Sequence, residues 1–481
     1  MTGATDRARR RLTRTPDPRA VLAVLAVVGM NASFMQTLVI PIQARLPELL
    51  GAGKDDTSWV VTVTLLAAAV ITPIAGRLGD LFGKRRILLV LLGVLLAGSI
   101  IAALSASLGG VIVGRALQGA ATGAVPLGIS ILRDVFPPAR LGSAVALVSA
   151  TLGIGGSLGL PLAAIVADNF EWHIIFWMSA VLAAISWVLV IAIVPVSVLR
   201  SPGRFDHLGA VGLTIGLVGV LLAVTKGATW GWASPVTIAA GVGGVLVLVG
   251  WAFFELRHPS PLVDLRVAVR PAVLFTNLAS IGTGFALFAF NVAVPQLLES
   301  PTASGGFGLT LLGASLVILP SGLVMIVGSP IVGRLERRTG ARPLLIAGVF
   351  LVALSYLVML ASSEVWHFLV ASIVIGFGIA FSFAVLPTLI MGAVPATETG
   401  AANGLNALMR SLGTTAAAAV VGAVLASSAT AVGDTVIPSA DGFRTSFLIG
   451  GVAALAAAVP AFLIPRRRTK YSENPALPES P

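Results

Sequence analysis

Cysteine is absent from the 481 residues. Disulfides, thiolate metal sites and a cysteine nucleophile are therefore excluded. Charge is scarce too: Asp, Glu, Lys and Arg make up 11% of the chain, against 57% for hydrophobic residues. Soluble domains carry about 25% charged residues, so this sequence lacks the polar surface needed to meet water on all sides. The four histidines, His173, His207, His258 and His367, sit at the ends of apolar runs. None shares a depth with a serine placed as a nucleophile, which argues against an intramembrane hydrolase. No Gly-x-x-x-x-Gly-Lys loop occurs, so ATP hydrolysis by this chain is excluded. No cofactor or metal is expected.

What is present is apolar sequence in lengths that fit a bilayer. A helix crosses the hydrocarbon in about 20 residues, and lipid offers no partner for bare backbone. Fourteen such segments can be read: 21–42, 59–75, 87–104, 111–132, 144–166, 174–196, 208–225, 235–254, 271–298, 309–332, 344–361, 368–391, 401–426 and 443–464. The seventh is the weakest, being short and rich in glycine. Arg9-Arg10-Arg11 looks like a twin-arginine export signal, but no small-residue cleavage site ends the apolar run after it. An uncleaved first span is expected.

The formal net charge of +11 would suggest nucleic acid in a soluble protein. Here the basic residues crowd into both tails and alternate loops, with Arg77, Lys84, Arg85, Arg86, Arg133, Arg140, Arg200, Arg204, Arg334 and Arg337 all on one side. The other side holds only Arg45, Lys54, Lys226 and Arg444, while Arg115 and Arg410 lie inside spans. By the positive-inside rule both termini face the cytoplasm of a plasma (inner) membrane, the lipid bilayer is the partner, and no nucleic acid is expected. Trp59, Trp172, Trp230, Trp232 and Trp366 fall at the outer ends of spans, as an interfacial belt would.

Two basic segments echo each other. Gly76-Arg77-Leu78-Gly79-Asp80-Leu81-Phe82-Gly83-Lys84-Arg85 follows span 2, and Gly333-Arg334-Leu335-Glu336-Arg337-Arg338-Thr339-Gly340-Ala341-Arg342 follows span 10. A duplicated six-span unit leaves such a trace, and spans 7 and 8 then read as an insertion. The first segment is expected to be a tight inter-helix turn with a charge latch. Gly76 and Gly79 permit close backbone approach, and Gly83 a conformation costly for other residues. Asp80 is placed to pair with Arg133 or to face the N-terminus of a helix from the other half.

These residues carry a resemblance. Gly76-Arg77-Leu78-Gly79-Asp80 with Gly83-Lys84-Arg85-Arg86 resembles the signature of the major facilitator superfamily, and Arg115-Ala116-Leu117-Gln118-Gly119 resembles its second motif. Phe205-Asp206 with Leu208-Gly209, then Gly231-Trp232, Pro261-Leu262-Val263-Asp264-Leu265 and Asn403-Gly404-Leu405-Asn406 with Arg410, are similar to the fourteen-helix drug:proton antiporters of the EmrB/QacA type. The resemblance implies an all-α polytopic membrane protein: a major facilitator fold of two six-helix bundles plus two inserted helices, 14 transmembrane helices in all. The expected division is an N-tail 1–19, a first bundle 20–200, two linker helices 201–257, a second bundle 258–465 and a C-tail 466–481. It also implies proton-coupled export, with an importer or uniporter, or a membrane sensor or scaffold, as alternatives. Two departures qualify it. Met35 stands where the branch keeps an aspartate, and span 5 reads Gly159-Leu160-Pro161 then Ala163-Ala164 where Gly-Pro and a glycine pair are usual.

Polar groups buried on membrane helices are costly, so each is a candidate for function. Asn31, Met35 and Gln36 in span 1, Gln118 in span 4, Asn277 and Asn291 in span 9, and Asn406 and Arg410 in span 13 are candidates for a substrate cavity. Hydrogen bonding between helices is the alternative role for each. Arg115 and Gln118, three residues apart, share a helix face. All 20 acids can be placed at span ends, in loops or in tails. Proton coupling is therefore expected through Asp134, Asp168 and Arg115, and the cargo is expected to be a small hydrophobic molecule that is neutral, zwitterionic or anionic. A dication in low dielectric would need a fixed negative partner.

Overall fold

The computed structural model describes residues 17–43, 45–197, 199–432 and 435–465. The basic tails and Asp434 lie outside the described residues. Thirteen helices among the described residues are long and apolar enough to cross a membrane. They are α1 (Pro18–Thr37), α2 (Trp59–Phe82), α3 (Lys84–Leu104), α5 (Pro138–Asn169), α6 (Ile174–Ile193), α7 (His207–Trp230), α8 (Pro235–Arg257), α9 (Pro271–Glu299), α10 (Leu311–Thr339), α11 (Ala341–Leu360), α12 (Val365–Ala393), α13 (Thr399–Ser427) and α14 (Ala440–Leu463). The fourteenth crossing, α4, is broken into Leu108–Ala120 and Ala124–Val135, joined by a 3₁₀ turn at Ala121–Gly123. Pro126 has no N–H to donate to the Thr122 carbonyl, so the ladder lapses there, and separately the Thr122 hydroxyl donates to the Gly119 carbonyl. The apolar run 111–132, continuous in sequence, is therefore two helical pieces in the structure.

A second difference concerns the repeated basic segments. They are not loops. Gly76 to Phe82 are the last turns of α2, and Gly333 to Thr339 the last turns of α10. The only true turns are Gly83, at φ 104°, and Gly340, at φ 82°, each followed at once by the next helix. Only glycine adopts such backbone without strain, so a single residue suffices to reverse the chain. The seventh span, short by sequence, extends to 24 residues. Asp206 caps it by accepting the Gly209 N–H at 2.7 Å. A short hairpin, β1 (Ala429–Val432) paired antiparallel with β2 (Thr435–Pro438), precedes α14 and was not anticipated.

Packing sorts the helices into two six-helix groups with two inserted helices. One apolar core is built from α1, α3, α4, α5 and α6, including Val24, Leu25, Leu91, Leu127, Val148 and Val190. The larger core joins α9 to α14, including Phe290, Ile318, Val349, Tyr356, Phe383, Val421 and Phe447, and takes in Ala146, Ala150 and Leu160 of α5 from the first group. The two groups meet along two seams, α2 against α13 and α5 against α10. The seams exchange places under the repeat, since α10 is the counterpart of α2 and α13 that of α5. Helices α7 and α8 pack on each other, and α7 also lies against α2 and α13, where Leu213, Leu217 and Leu221 meet Leu66, Val70 and Leu408. α8 touches little else and is the least buried of the crossings. Its Leu246, Val249 and Phe253 are exposed, as suits a surface toward lipid.

Candidate functional site

At the end of the molecule rich in arginine, the α2–α13 seam closes tightly. Gly76 lies against Gly400, and a side chain at 76 would collide with the Gly400 carbonyl; Ala401 Cα would lie 3.1 Å from its Cβ. This contact lets the next turn of α2 bring Asp80 to the start of α13. Its carboxylate, 0% exposed, accepts the N–H groups of Gly400 at 3.0 Å and Ala401 at 2.8 Å. Those amides are among the first four of the helix, which have no partner within it, and the helix dipole favours an anion there. Of the two placements open to Asp80 by sequence, the structure adopts the helix terminus.

The other candidates for the latch divide. Arg133 also spans the halves, donating through Nη1 and Nη2 to the Val394 carbonyl at 3.3 Å. Lys84 and Arg85 stay within the first half. The Lys84 ammonium, buried, pairs with Asp134 at 2.9 Å, and Arg85 donates to the Ile191 carbonyl at 2.6 Å. Gly79 sits against Leu127, and Gly83 makes the turn. Arg77 is buried beside a cavity of about 210 Å³ that Ser201, Leu262, Asp264 and Ala401 also line. Two further hydrogen bonds tie the halves, Asn403 to Ser130 at 3.2 Å and Arg337 to Ser143 at 2.9 Å, and Ser201, at the head of the inserted segment, donates to the Thr397 carbonyl at 2.7 Å. The symmetry of the seams was the available signal for the Arg337 tie. Glu336, near the end of α10, crowds Gly142 in the second turn of α5, much as Asp80 crowds Gly400 on α13.

Deeper in the first half, Arg115 is 2% exposed and holds helices together rather than reaching an interface. Its Nη1 donates to the Met35 carbonyl at 3.0 Å and to Gln118 Oε1 at 2.8 Å, and its Nε to the Val60 carbonyl at 3.4 Å. Gln118 passes the chain on to Ser99 at 2.8 Å, and Ser99 lies 3.1 Å from Ser179. One network thus links α4 to α1, α2, α3 and α6. Asp134 is held by Lys84 and by the Ser197 hydroxyl at 2.8 Å, whereas Asp168 is exposed at the opposite end. The three candidates for proton coupling are not brought together.

The cavity candidates likewise form separate groups. Asn31 and Met35 are fully buried on one face of α1, and neither amide atom of Asn31 finds a hydrogen-bond partner among the described residues. Gln36 and Asn291 are half-buried. In the second half Asn406 donates to Asn277 at 2.9 Å and to Ser280 at 2.7 Å, tying α13 to α9. One turn on, the Arg410 guanidinium lies over the Phe383 ring, 5.0 Å from its centre, a geometry that suits a cation whose charge is not otherwise matched.

Two helix bundles related by an internal repeat and joined by a terminus-docking acid define a secondary transporter, not an enzyme. The Major Facilitator Superfamily model matches residues 24–206 and 276–481, and the chain belongs to that superfamily, in its fourteen-helix EmrB/QacA-type branch. The unmatched stretch contains α7 and α8. The chain is similar to the multidrug resistance protein Stp of Mycobacterium tuberculosis, with 30% identity over 414 residues, covering 83% of this chain and 74% of that one. It is similar to multidrug resistance protein 3 of Bacillus subtilis at 25% identity, covering 84% and 78%. The lincomycin resistance protein LmrB of Listeria monocytogenes shares 26%, covering 72% and 73%. Among solved structures, the human organic anion transporter MFSD10 (TETRAN) superposes with a TM-score of 0.68 at 15% identity, covering 94% of this chain and 100% of that one. That likeness concerns the fold alone.

Proposed function

We propose that this transporter exports small hydrophobic molecules in exchange for protons, by alternating access, from a plasma membrane with its arginine-rich end and both termini in the cytoplasm. The relatives named for drug resistance support efflux, and the one-sided arginines support the orientation. The observation that carries the mechanism is the docking of Asp80 on α13 across the two halves. A contact of this kind holds one end shut while the other is free to open, and must break for the cavity to face the cytoplasm. The working units are residues 20–200 and 258–465, with 201–257 as the inserted pair.

Cargo is neutral, zwitterionic or anionic. The embedded charges are Arg115 and Arg410, and Met35 supplies no carboxylate where a dication would need one. Coupling runs through groups at helix ends, Asp134 and Asp168 among them, with Arg115 setting the shape of the first bundle. A proton on Asp134 would release Lys84, which is buried and would then seek another partner. Proteoliposomes with an imposed proton gradient test the reading, using a neutral drug, an anionic drug and a dicationic quaternary ammonium compound. Gradient-driven movement of the first two and little of the third is expected. Strong transport of the dication, indifferent to loss of Arg410, would overturn the charge argument.

A further inference from the structure

The inserted helix pair buries two carboxyl groups against each other. Asp206, which caps α7, is 4% exposed, and Glu255, near the end of α8, is 2% exposed. One oxygen of each is satisfied: Asp206 Oδ1 by the Gly209 N–H at 2.7 Å, and Glu255 Oε2 by the Leu262 N–H at 3.0 Å. The other two, Asp206 Oδ2 and Glu255 Oε1, make no hydrogen bond of full geometry among the described residues, although the Trp251 indole N–H, itself otherwise unpartnered, and the Val263 N–H are directed toward the Glu255 carboxyl. Both converge on the place where a Cβ on residue 209 would have to sit, which leaves room only for glycine. The two oxygens therefore lie within about 5 Å of one another, a spacing at which two buried carboxylates do not both stay charged.

Among the ionisable neighbours, His258 Nδ1 accepts the Ser260 N–H at 3.3 Å and lies 3.6 Å from Asp206 Oδ2, beyond hydrogen-bond distance. From α2, Arg77 reaches toward Gly203 on the cavity side. Arg266 donates to the Leu256 carbonyl at 2.9 Å. Asp264 caps the short helix Leu265–Ala268, and Glu398 faces the cavity. Arg204, His207 and Arg257 are exposed.

We propose that Asp206 and Glu255 form a proton-binding site, in which one proton is shared between the two free carboxyl oxygens. The site stands on its own geometry; only its consequence rests on the transport reading. The proton comes from water at the arginine-rich end and returns there, with no other bond made or broken. While it is bound, only one of the two carboxyls carries a charge, and Glu255 Oε2 keeps its hold on the Leu262 N–H. That hold seats Leu262 and Val263, both buried, in the cavity wall beside Arg77, Val394 and Ala401, next to the amides on which Asp80 docks. Loss of the proton sets two negative charges against each other, drives Glu255 away and frees the segment 258–264. The inserted pair thereby reports the acidity at one end of the molecule to the seam between its halves.

The cysteine-free chain permits a direct test. A single nitroxide at Ser260→Cys, in nanodiscs, is followed by spin-label line shape as the pH is raised. The label should be held at acid pH and gain mobility through one midpoint, and Glu255→Gln, which keeps the acceptor without the charge, should hold it throughout. In the unlabelled chain, amide exchange over 258–264, corrected for its intrinsic dependence on pH, should accelerate by about tenfold through the same midpoint. Mobility and exchange that ignore pH in the parent, or that respond equally in Glu255→Gln, would overturn the proposal. Neither readout involves transport, so a negative result in proteoliposomes and a negative result here remain distinct.

Discussion

At the scale of single residues, the account turns on Asp80 and the glycine one turn before it. Hydrogen bonds to a charged group contribute about 1.5–3 kcal/mol each. The helix terminus adds about 0.3–1 kcal/mol more at an exposed site. Asp80→Asn keeps one acceptor but points an NH₂ group at a second N–H. It is expected to insert and fold normally yet lose at least about tenfold in transport, because one conformer of a finely balanced pair is weakened. Efflux rate normalised to the amount of folded protein checks this. Gly76→Ala should act through sterics, since backbone of α13 and not a flexible side chain blocks the added methyl; overpacking costs about 1–3 kcal/mol. Gly422→Ala, with nothing within 4 Å of the added methyl, is the control and should be neutral. Asp80 stands out in the sequence as a lone acid among basic residues, and a helix terminus of the other half was one of the two partners open to it. Which terminus, and which amides, was not legible, because backbone N–H groups have no letter in a sequence.

At the scale of elements, the fourteen crossings were legible from length and apolarity, and errors cluster where helices continue past the apolar run. The polar ends of α2 and α10 are helical because the opposite half packs on them, which composition does not reveal. The break in α4 had a visible cause in Pro126, yet apolar sequence on both sides concealed it. Arg115 illustrates the same limit: its place within a span was plain, but its partners are mostly main-chain carbonyls contributed by α1 and α2. Removing it should therefore weaken the first bundle itself. Arg115→Leu leaves Gln118 and the Met35 carbonyl short of a donor, at about 1–3 kcal/mol for each buried group left unsatisfied. The expected result is a lowered thermal unfolding midpoint in the absence of any substrate. An unchanged midpoint with altered dependence of transport on pH would instead return Arg115 to a role in proton coupling.

At the scale of the whole molecule, the repeat visible in two basic segments becomes two seams with exchanged roles, α2 on α13 and α5 on α10. Asp80 and Glu336 occupy related places on them, although only Asp80 makes two hydrogen bonds across the halves. Alternating access requires both seams to part at the arginine-rich end in every cycle. The α5–α10 seam can be tied there without disturbing Asp80, because Arg337 on α10 reaches Ser143 on α5 at 2.9 Å. With Ser143→Cys and Arg337→Cys in the cysteine-free chain, a short reducible bis-thiosulfonate linker should stop transport in proteoliposomes, and a reductant should restore it. Either single variant treated with the linker should transport as before. Undiminished transport by fully bridged protein would contradict alternating access through this end of the molecule.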